Sequence, residues 1–280
     1  MSLYELHARP SLDRPVLVVG MEGWIDAGLG AATAMATLLG AVNTEPVATF
    51  DVDTLLDHRA RRPIVRIVDG VNTGLRWPEI QLRGGHDADG HDLLLLLGPE
   101  PDHQWRAFTA AVGELATSFG VGLVIGLGAF PAPVPHTRPA RLASTATTSE
   151  LAHRVGFLPG ALDVPAGVQA ALERGFAELG IPAVGLWARV PHYAAAMPYP
   201  EASAVLLEGL TSVAGITTDT GDLRRAAEAS RQHLDELIAN SEEHIALVRQ
   251  LETQVDADVP SGDEIAAEVE RFLRGQGPGT

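Results

Sequence analysis

Side chains able to grip an anion or move a proton gather at a few points in this sequence, each beside a short apolar run. Glu22, Trp24 and Asp26 follow Val16–Val19, and Arg59, Arg61 and Arg62 precede the run from Ile64 to Val68. His136, Thr137 and Arg138 lie in the proline-rich stretch Pro131 to Pro139, and His192 and Tyr193 follow Ala183–Val190. An indole stacks on a flat ring, a guanidinium holds phosphate or carboxylate through paired N–H bonds, and an imidazole exchanges a proton near neutral pH. Trp24, Asp26, Arg59, Arg62, His136, Arg138, His192 and Tyr193 are therefore the candidate binding residues, with no catalytic residue and no metal ligand assigned. In an open α/β sheet the loops beyond the carboxyl ends of the strands line a shared crevice, so Trp24, His136 and His192 are expected to converge at one rim. The competing reading is structural: arginines and carboxylates pair across the loops, and His136 and His192 act as hydrogen-bonded supports.

Other motifs carry less. Gly28-Leu29-Gly30-Ala31-Ala32-Thr33 has the glycine spacing of a phosphate cradle, but seven residues separate Gly20, at the strand end, from Gly28. A dinucleotide fingerprint needs its first glycine directly after the strand, so tight helix packing is the favoured reading. The stretch His86 to Asp92 is rich in metal-type ligands, yet Asp89-Gly90 between two apolar runs signals a hairpin turn, and a solvated hairpin is expected there. The G-x-S-x-G and H-E-x-x-H signatures are missing. All 20 basic residues are arginine, which excludes a Schiff-base lysine and a lysine clamp on nucleotide phosphates. The absence of cysteine excludes disulfides and thiolate chemistry.

The elements that position these residues follow from periodicity. Val16–Val19, Val47–Val52, Ile64–Val68, Leu93–Leu97, Val121–Leu127 and Ala183–Val190 read as strands, several apolar on both faces. Gly28–Leu39, Trp105–Ser118, Ala166–Leu179 and Ala202–Val213 read as helices between them. Such alternation predicts a three-layer α/β/α domain with a mostly parallel sheet over residues 1–218. Beyond it, Leu223, Ala226, Leu234, Leu237, Ile245, Val248, Leu251 and Val255 form a helical stripe, with a capping box at Asn240 and Glu243. This predicts a helical extension over residues 219–275, ending in a short helix Asp263–Leu273, and a flexible tail over 276–280. With 36 acidic residues and a net charge of −16 across 280 residues, nucleic acid and anionic membrane surfaces are not expected partners. The opening segment lacks an apolar targeting core, and the expected location is the cytoplasm.

Five runs in order carry a resemblance: GMEGWIDAG (Gly20–Gly28), DHRARRP (Asp57–Pro63), LGPEPDHQWRAF (Leu97–Phe108), PHTRP (Pro135–Pro139) and VPHY (Val190–Tyr193). Together they resemble the proteasome assembly chaperone 2 family in its actinobacterial form, over roughly Arg14 to Leu251. The resemblance implies a nucleoside-phosphorylase-like α/β/α fold, a homo-oligomer (a trimer), no cofactor, and non-enzymatic dealings with proteasome-related proteins. Family members that dock on proteasomes often end in a hydrophobic–tyrosine–any tripeptide, from which Gly277-Pro278-Gly279-Thr280 departs. The alternative is a small-molecule-binding enzyme using the strand-end pocket. A phosphorylase-like reaction suits it better than an ATP-dependent carboxylate–amine ligation, for which lysines are lacking.

Overall fold

The computed structural model describes residues 3–23 and 25–257. In chain order these form β1 (Tyr4–Leu6), β2 (Val16–Glu22), a single 3-10 turn (Ala27–Leu29) leading into α1 (Gly30–Ala41), β3 (Asn43–Phe50), the one-turn α2 (Val52–Leu55), β4 (Ile64–Val68), β5 (Val71–Arg76), β6 (Gln81–His86), β7 (Asp92–Pro99), α3 (Trp105–Ser118), β8 (Leu123–Ala132), β9 (Leu142–Ala146), α4 (Ser149–Val155), α5 (Val168–Glu178), β10 (Ala183–Pro191), α6 (Pro200–Ala214), α7 (Gly221–Ala239) and α8 (Glu242–Ala257). Eight strands make one sheet in the order β1-β3-β6-β7-β2-β8-β10-β9. Its centre, β7-β2-β8-β10, is parallel, and antiparallel partners extend it at both sides.

The continuous apolar runs are explained by helices on both faces. Side chains alternate along a strand, so Val18, Leu93, Leu95, Ile125 and Leu127 enter the core under α1 and α6, while Leu17, Val19, Leu94, Leu96 and Val124 enter the core under α3 and α5. Each such side chain stabilises the fold by about 2 kcal/mol through removal from water. The sheet thus separates two cores, and the three-layer α/β/α class read from the sequence is the architecture observed.

Three differences from the expected elements have local causes. The strand placed at Val47–Val52 starts at Asn43 and stops at Phe50, because the Asp51 carboxylate accepts hydrogen bonds from the amides of Asp53 and Thr54 and starts α2. Ile64–Val68 is a strand, but it pairs only with β5 in a separate two-stranded sheet. Two helices do meet near Asn240, but Asn240 is the C-cap of α7 rather than the N-cap of α8, its side-chain amide donating to the Glu236 carbonyl. Ser241 instead receives the His244 amide at the start of α8.

The C-terminal helices also pack differently from a stripe left open for a partner. Leu223 and Leu234 join the core under α6, and Val248 and Leu251 are buried as well. Ala226 and Leu237 of the expected stripe face solvent, and Ala227 takes the buried position. The expected helix Asp263–Leu273 and the tail lie outside the described residues.

The α1–α6 approach tolerates no side chain at Gly30, where a Cβ would sit 2.9 Å from that of Ala129 and 3.0 Å from that of Ala202. Gly30→Val therefore forces α1 off the sheet and off α6 together. The expected result is a loss of about 3 kcal/mol of stability by urea unfolding; an unchanged unfolding midpoint contradicts this packing.

Candidate functional site

Trp24 lies outside the described residues, and the other expected site residues fall into three places. The first place is the N-terminus of α1. Asp26 sends its carboxylate to the amides of Ala31 (2.8 Å) and Ala32 (3.0 Å). Burial raises its pKa above the ordinary carboxylate value, and these amides pull in the opposite direction. The partly positive helix end, where a phosphate would rest in a dinucleotide fold, thus holds the chain's own carboxylate. The adjoining glycines serve packing. Gly28 has φ +65°, its amide donates to the Ala195 carbonyl, and its carbonyl receives the Tyr199 amide. The reading of this stretch as helix packing holds, and the reason is that Asp26 already satisfies the amides.

The second place is the Pro131–Pro139 loop, where His136, Arg138 and Tyr193 come together with residues the sequence reading did not single out. The Tyr193 hydroxyl receives the His136 backbone N–H (2.9 Å) and lies 2.8 Å from His136 Nδ1, while His136 Nε2 lies 3.1 Å from Asp235 Oδ1 on α7. All three contacts are satisfied by the tautomer in which Tyr193 donates to Nδ1 and Nε2–H donates to Asp235. Burial, with Glu252 and Asp235 nearby, pushes the Tyr193 phenol up to about 12 against the pull of the His136 amide, so it keeps its proton at neutral pH. The imidazole is 1% exposed, which shuts it off from any substrate. Next to it, the Thr137 hydroxyl donates to Glu252 (2.6 Å), and Arg138 grips Asp256 through Nε (2.9 Å) and Nη2 (2.8 Å) while Nη1 reaches Glu252 (3.1 Å). The Asp256 hydrogen bond raises the Arg138 pKa further above its already high value. His192 is exposed and meets Tyr193 edge to face, with ring centres 5.4 Å apart. His136 and His192 therefore both meet Tyr193, His136 as part of a seat for α7 and His192 as an exposed neighbour of the phenol ring.

The third place is a real cleft. At the carboxyl ends of β2 and β7 the chain diverges, toward α1 on one face and toward α3 on the other. A space of about 440 Å³ opens there between Gly20, Glu22, Leu97 and Pro99 on the sheet, Met35 and Leu39 on α1, and Arg61, Arg62 and Glu79. Arg61 is tied to Asp102 (3.2 Å), and Glu79 is hydrogen-bonded to Gln81. Arg59 is exposed nearby. The expected single pocket is thus divided: Arg62 belongs to this cleft, whereas His136, Arg138 and Tyr193 belong to the helix seat. Glu79 could not be tied to Glu22 from spacing, because its position depends on β6 pairing with β7.

The His86–Asp92 stretch is the hairpin expected, joining β6 to β7, but its first carboxylate is not solvated. Asp87 is buried and accepts the amides of Asp89 (3.0 Å), His91 (2.8 Å) and Thr217 (3.0 Å), together with His91 Nδ1 (2.9 Å). Burial opposes ionisation, but the Thr217 amide and His91 outweigh it and hold the carboxyl down at about 2. Ligand atoms of Asp87, Asp89 and His91 lie within 4.8 Å of one another, yet each is engaged within the chain, Asp89 by the Thr217 hydroxyl (2.7 Å). The loop ties the sheet to the segment that enters α7.

A three-layer α/β protein whose strand-end polar residues hold its own C-terminal helices is the class that the fold and these contacts define. Within that class the chain belongs to the PAC2 family, whose model matches residues 20–238. Three solved structures are similar across most of their length. A Corynebacterium glutamicum protein of unknown function is 32% identical, with 92% of this chain and 98% of that one covered and a TM-score of 0.86. A Mycobacterium tuberculosis protein of unknown function is 37% identical, with 91% of each chain covered and a TM-score of 0.83. A Mycobacterium tuberculosis proteasome-assembly chaperone homologue is 32% identical, with 83% of this chain and 99% of that one covered and a TM-score of 0.77. No curated protein matches by sequence. Among the described residues, no helix is long and apolar enough to cross a membrane.

Two outcomes test these contacts. Arg138→Ala should quicken hydrogen exchange across α8 roughly fivefold and leave the β7–β2–β8 amides unchanged. His136→Ala should cost about 3 kcal/mol, since it strands buried partners as well as opening space. Equal exchange in α8 and the sheet after either change contradicts a local seat. For Asp87, the native pKa lies below the ordinary 3.8. Its stabilisation is therefore complete above about pH 4 and disappears as pH falls through about 2. The stability difference between wild type and Asp87→Asn, measured by denaturant unfolding, should be greatest between pH 4 and the deprotonation of His91, whose pKa Asp87 raises, and should shrink on either side of that window.

Proposed function

We propose that this chain is a non-enzymatic assembly or interaction protein that works in the cytoplasm as a homo-oligomer, a trimer, on proteasome-related proteins. In this reading, residues 1–218 form the α/β core and residues 219–275 form a helical extension. The observation that carries it is the commitment of the strand-end polar groups. His136 is buried between Tyr193 and Asp235, Arg138 is ion-paired to α8, and Asp26 covers the amides of α1. Groups held in this way brace a scaffold and are poorly placed to turn over a substrate. Membership of the PAC2 family and 32% identity to a proteasome-assembly chaperone homologue support the same reading and suggest the partner class.

One observation favours a second reading. The 440 Å³ cleft with Glu22, Glu79, Arg61 and Arg62 at its wall has the size of a small-molecule site. A binder or enzyme acting there would use the arginines on a phosphate or carboxylate.

The two readings part in one pair of experiments. Co-expression with proteasome α and β subunits from the same organism should give a complex in pull-down and an altered rate of ring assembly. Neither complex nor rate change in that assay contradicts the assembly role. In thermal-shift screening with nucleosides, phosphate and carboxylic acids, a ligand whose stabilising effect vanishes in Arg62→Ala would shift the weight to the second reading.

A further inference from the structure

The strands β4 and β5 stand apart from the rest of the fold. Among the described residues they pair only with each other, and every residue in both is exposed. Their composition is nevertheless that of a core. Val65, Ile67 and Leu75 project from one face of the ribbon, and Ile64, Val68 and Val71 from the other, with Ile64 at 59%, Ile67 at 62% and Val71 at 62% exposure. The root of this arm is held firmly. The Asp102 carboxylate receives the Asp57 amide (2.8 Å) and Arg61 Nε (3.2 Å), and His58 packs against the edge of Trp77. A lone two-stranded hairpin is at best marginally stable in water, and one that is apolar on both faces leaves a patch of the size that marks an interaction surface.

The charge on the arm narrows the choice of what covers it. From Asp57 to Glu79 there are five arginines against three carboxylates, in a chain of net charge −16. The arm and its root are therefore the basic region of an acidic protein. Two arms laid on each other would oppose arginine with arginine, whereas an arm laid on the body of a second copy meets opposite charge. A lipid surface fits less well. The unpaired backbone edges of a hairpin are costly in hydrocarbon, and the acidic body beside the arm is repelled by anionic headgroups.

We infer that the β4–β5 arm docks on the acidic body of a second copy of this chain and is the element that holds the oligomer together. The inference rests on the homo-oligomeric reading above and gives it a contact. Because an arm meeting a body is a head-to-tail contact, it propagates around a closed ring instead of ending at a two-fold pair. The apolar side chains of the ribbon are then covered by the second copy, and Arg66 and Arg76 lie among its carboxylates.

The test compares the wild-type chain with two variants by sedimentation velocity. One is the double substitution Ile67→Glu and Val71→Glu. The other replaces residues 64–76 by Gly-Ser-Gly, which is feasible because Ile64 and Arg76 are directly paired at the root. The changed side chains lie on the exposed arm, outside both hydrophobic cores, and within it meet mainly the paired strand, so both variants should keep an unfolding midpoint close to that of the wild type. Wild type should sediment as a multiple of its 29.5 kDa protomer and each variant as a single protomer of its own mass, with association weakened roughly 100-fold or more. Trypsin, which has only arginines to cut in this chain, should spare Arg66 in the wild type and cleave there first in the double variant. If wild type and both variants form the same oligomer, the arm is not the contact, while the homo-oligomeric reading stands. A monomeric wild type at 50 µM overturns both. A wild-type monomer that floats with phosphatidylglycerol vesicles overturns the proposal in favour of a lipid surface.

Discussion

The arrangement of the C-terminal half depends on one loop, Pro131–Pro139, and on the hydrogen bonds and ion pairs it makes to carboxylates of α7 and α8. His136, Thr137 and Arg138 are consecutive, and each engages a different carboxylate-bearing turn of α7 or α8: Asp235, Glu252 and Asp256. The sequence separations run from 99 to 118 residues. Prolines on either side of the triplet limit the conformations the loop must lose when it orders, which lowers the entropic cost of closing such long loops. A buried imidazole flanked by a phenol on one side and a carboxylate on the other is satisfied only when α7 is in place, so the loop and the helix specify each other.

The same economy runs through the other polar residues near the strand ends. Asp26 caps α1, Glu100 receives the Val168 amide at the start of α5, and Asp87 receives Thr217 ahead of α7. Each carboxylate meets backbone N–H groups that would otherwise be buried or exposed without partners at a helix end or turn. Acidic side chains at strand ends thus locate the helices that follow, and this accounts for much of the polar chemistry that makes those positions look like a site.

The parts of this design that were readable from the sequence are those set by local periodicity. Five leucines in a row bounded by Gly98-Pro99 can only be a strand buried on both faces, and Trp105–Ser118 was legible to the residue as a helix. The strand Ile64–Val68 was legible as a strand but not as an outlying one, because an apolar run gives no sign of whether a core of the same chain will cover it. The site was legible in its residue types and mislocated in its role. Nothing in the spacing of His136 and Asp235 shows that they will meet, since that contact depends on how α6 turns the chain back across the sheet. The strand β1 was missed because three residues carry too little periodicity to stand out, and β9 because Ser144 and Thr145 break its apolar run. The cap read at Asn240 belongs one residue later, to Ser241, and only the geometry of the two helix ends shows this.

The split between two apolar cores and an outer helix held chiefly by charge has a consequence for how the molecule comes apart. Leu223 and Leu234 anchor α7 in the core under α6, whereas α8 buries Val248 and Leu251 beside its ion pairs with Arg138 and its hydrogen bond with Thr137. Ionic strength weakens exposed pairs and leaves apolar burial nearly untouched. Concentrated salt should accordingly free the outermost helix as a separate sub-global unit, uncovering the proline loop while the sheet and both its cores stay closed.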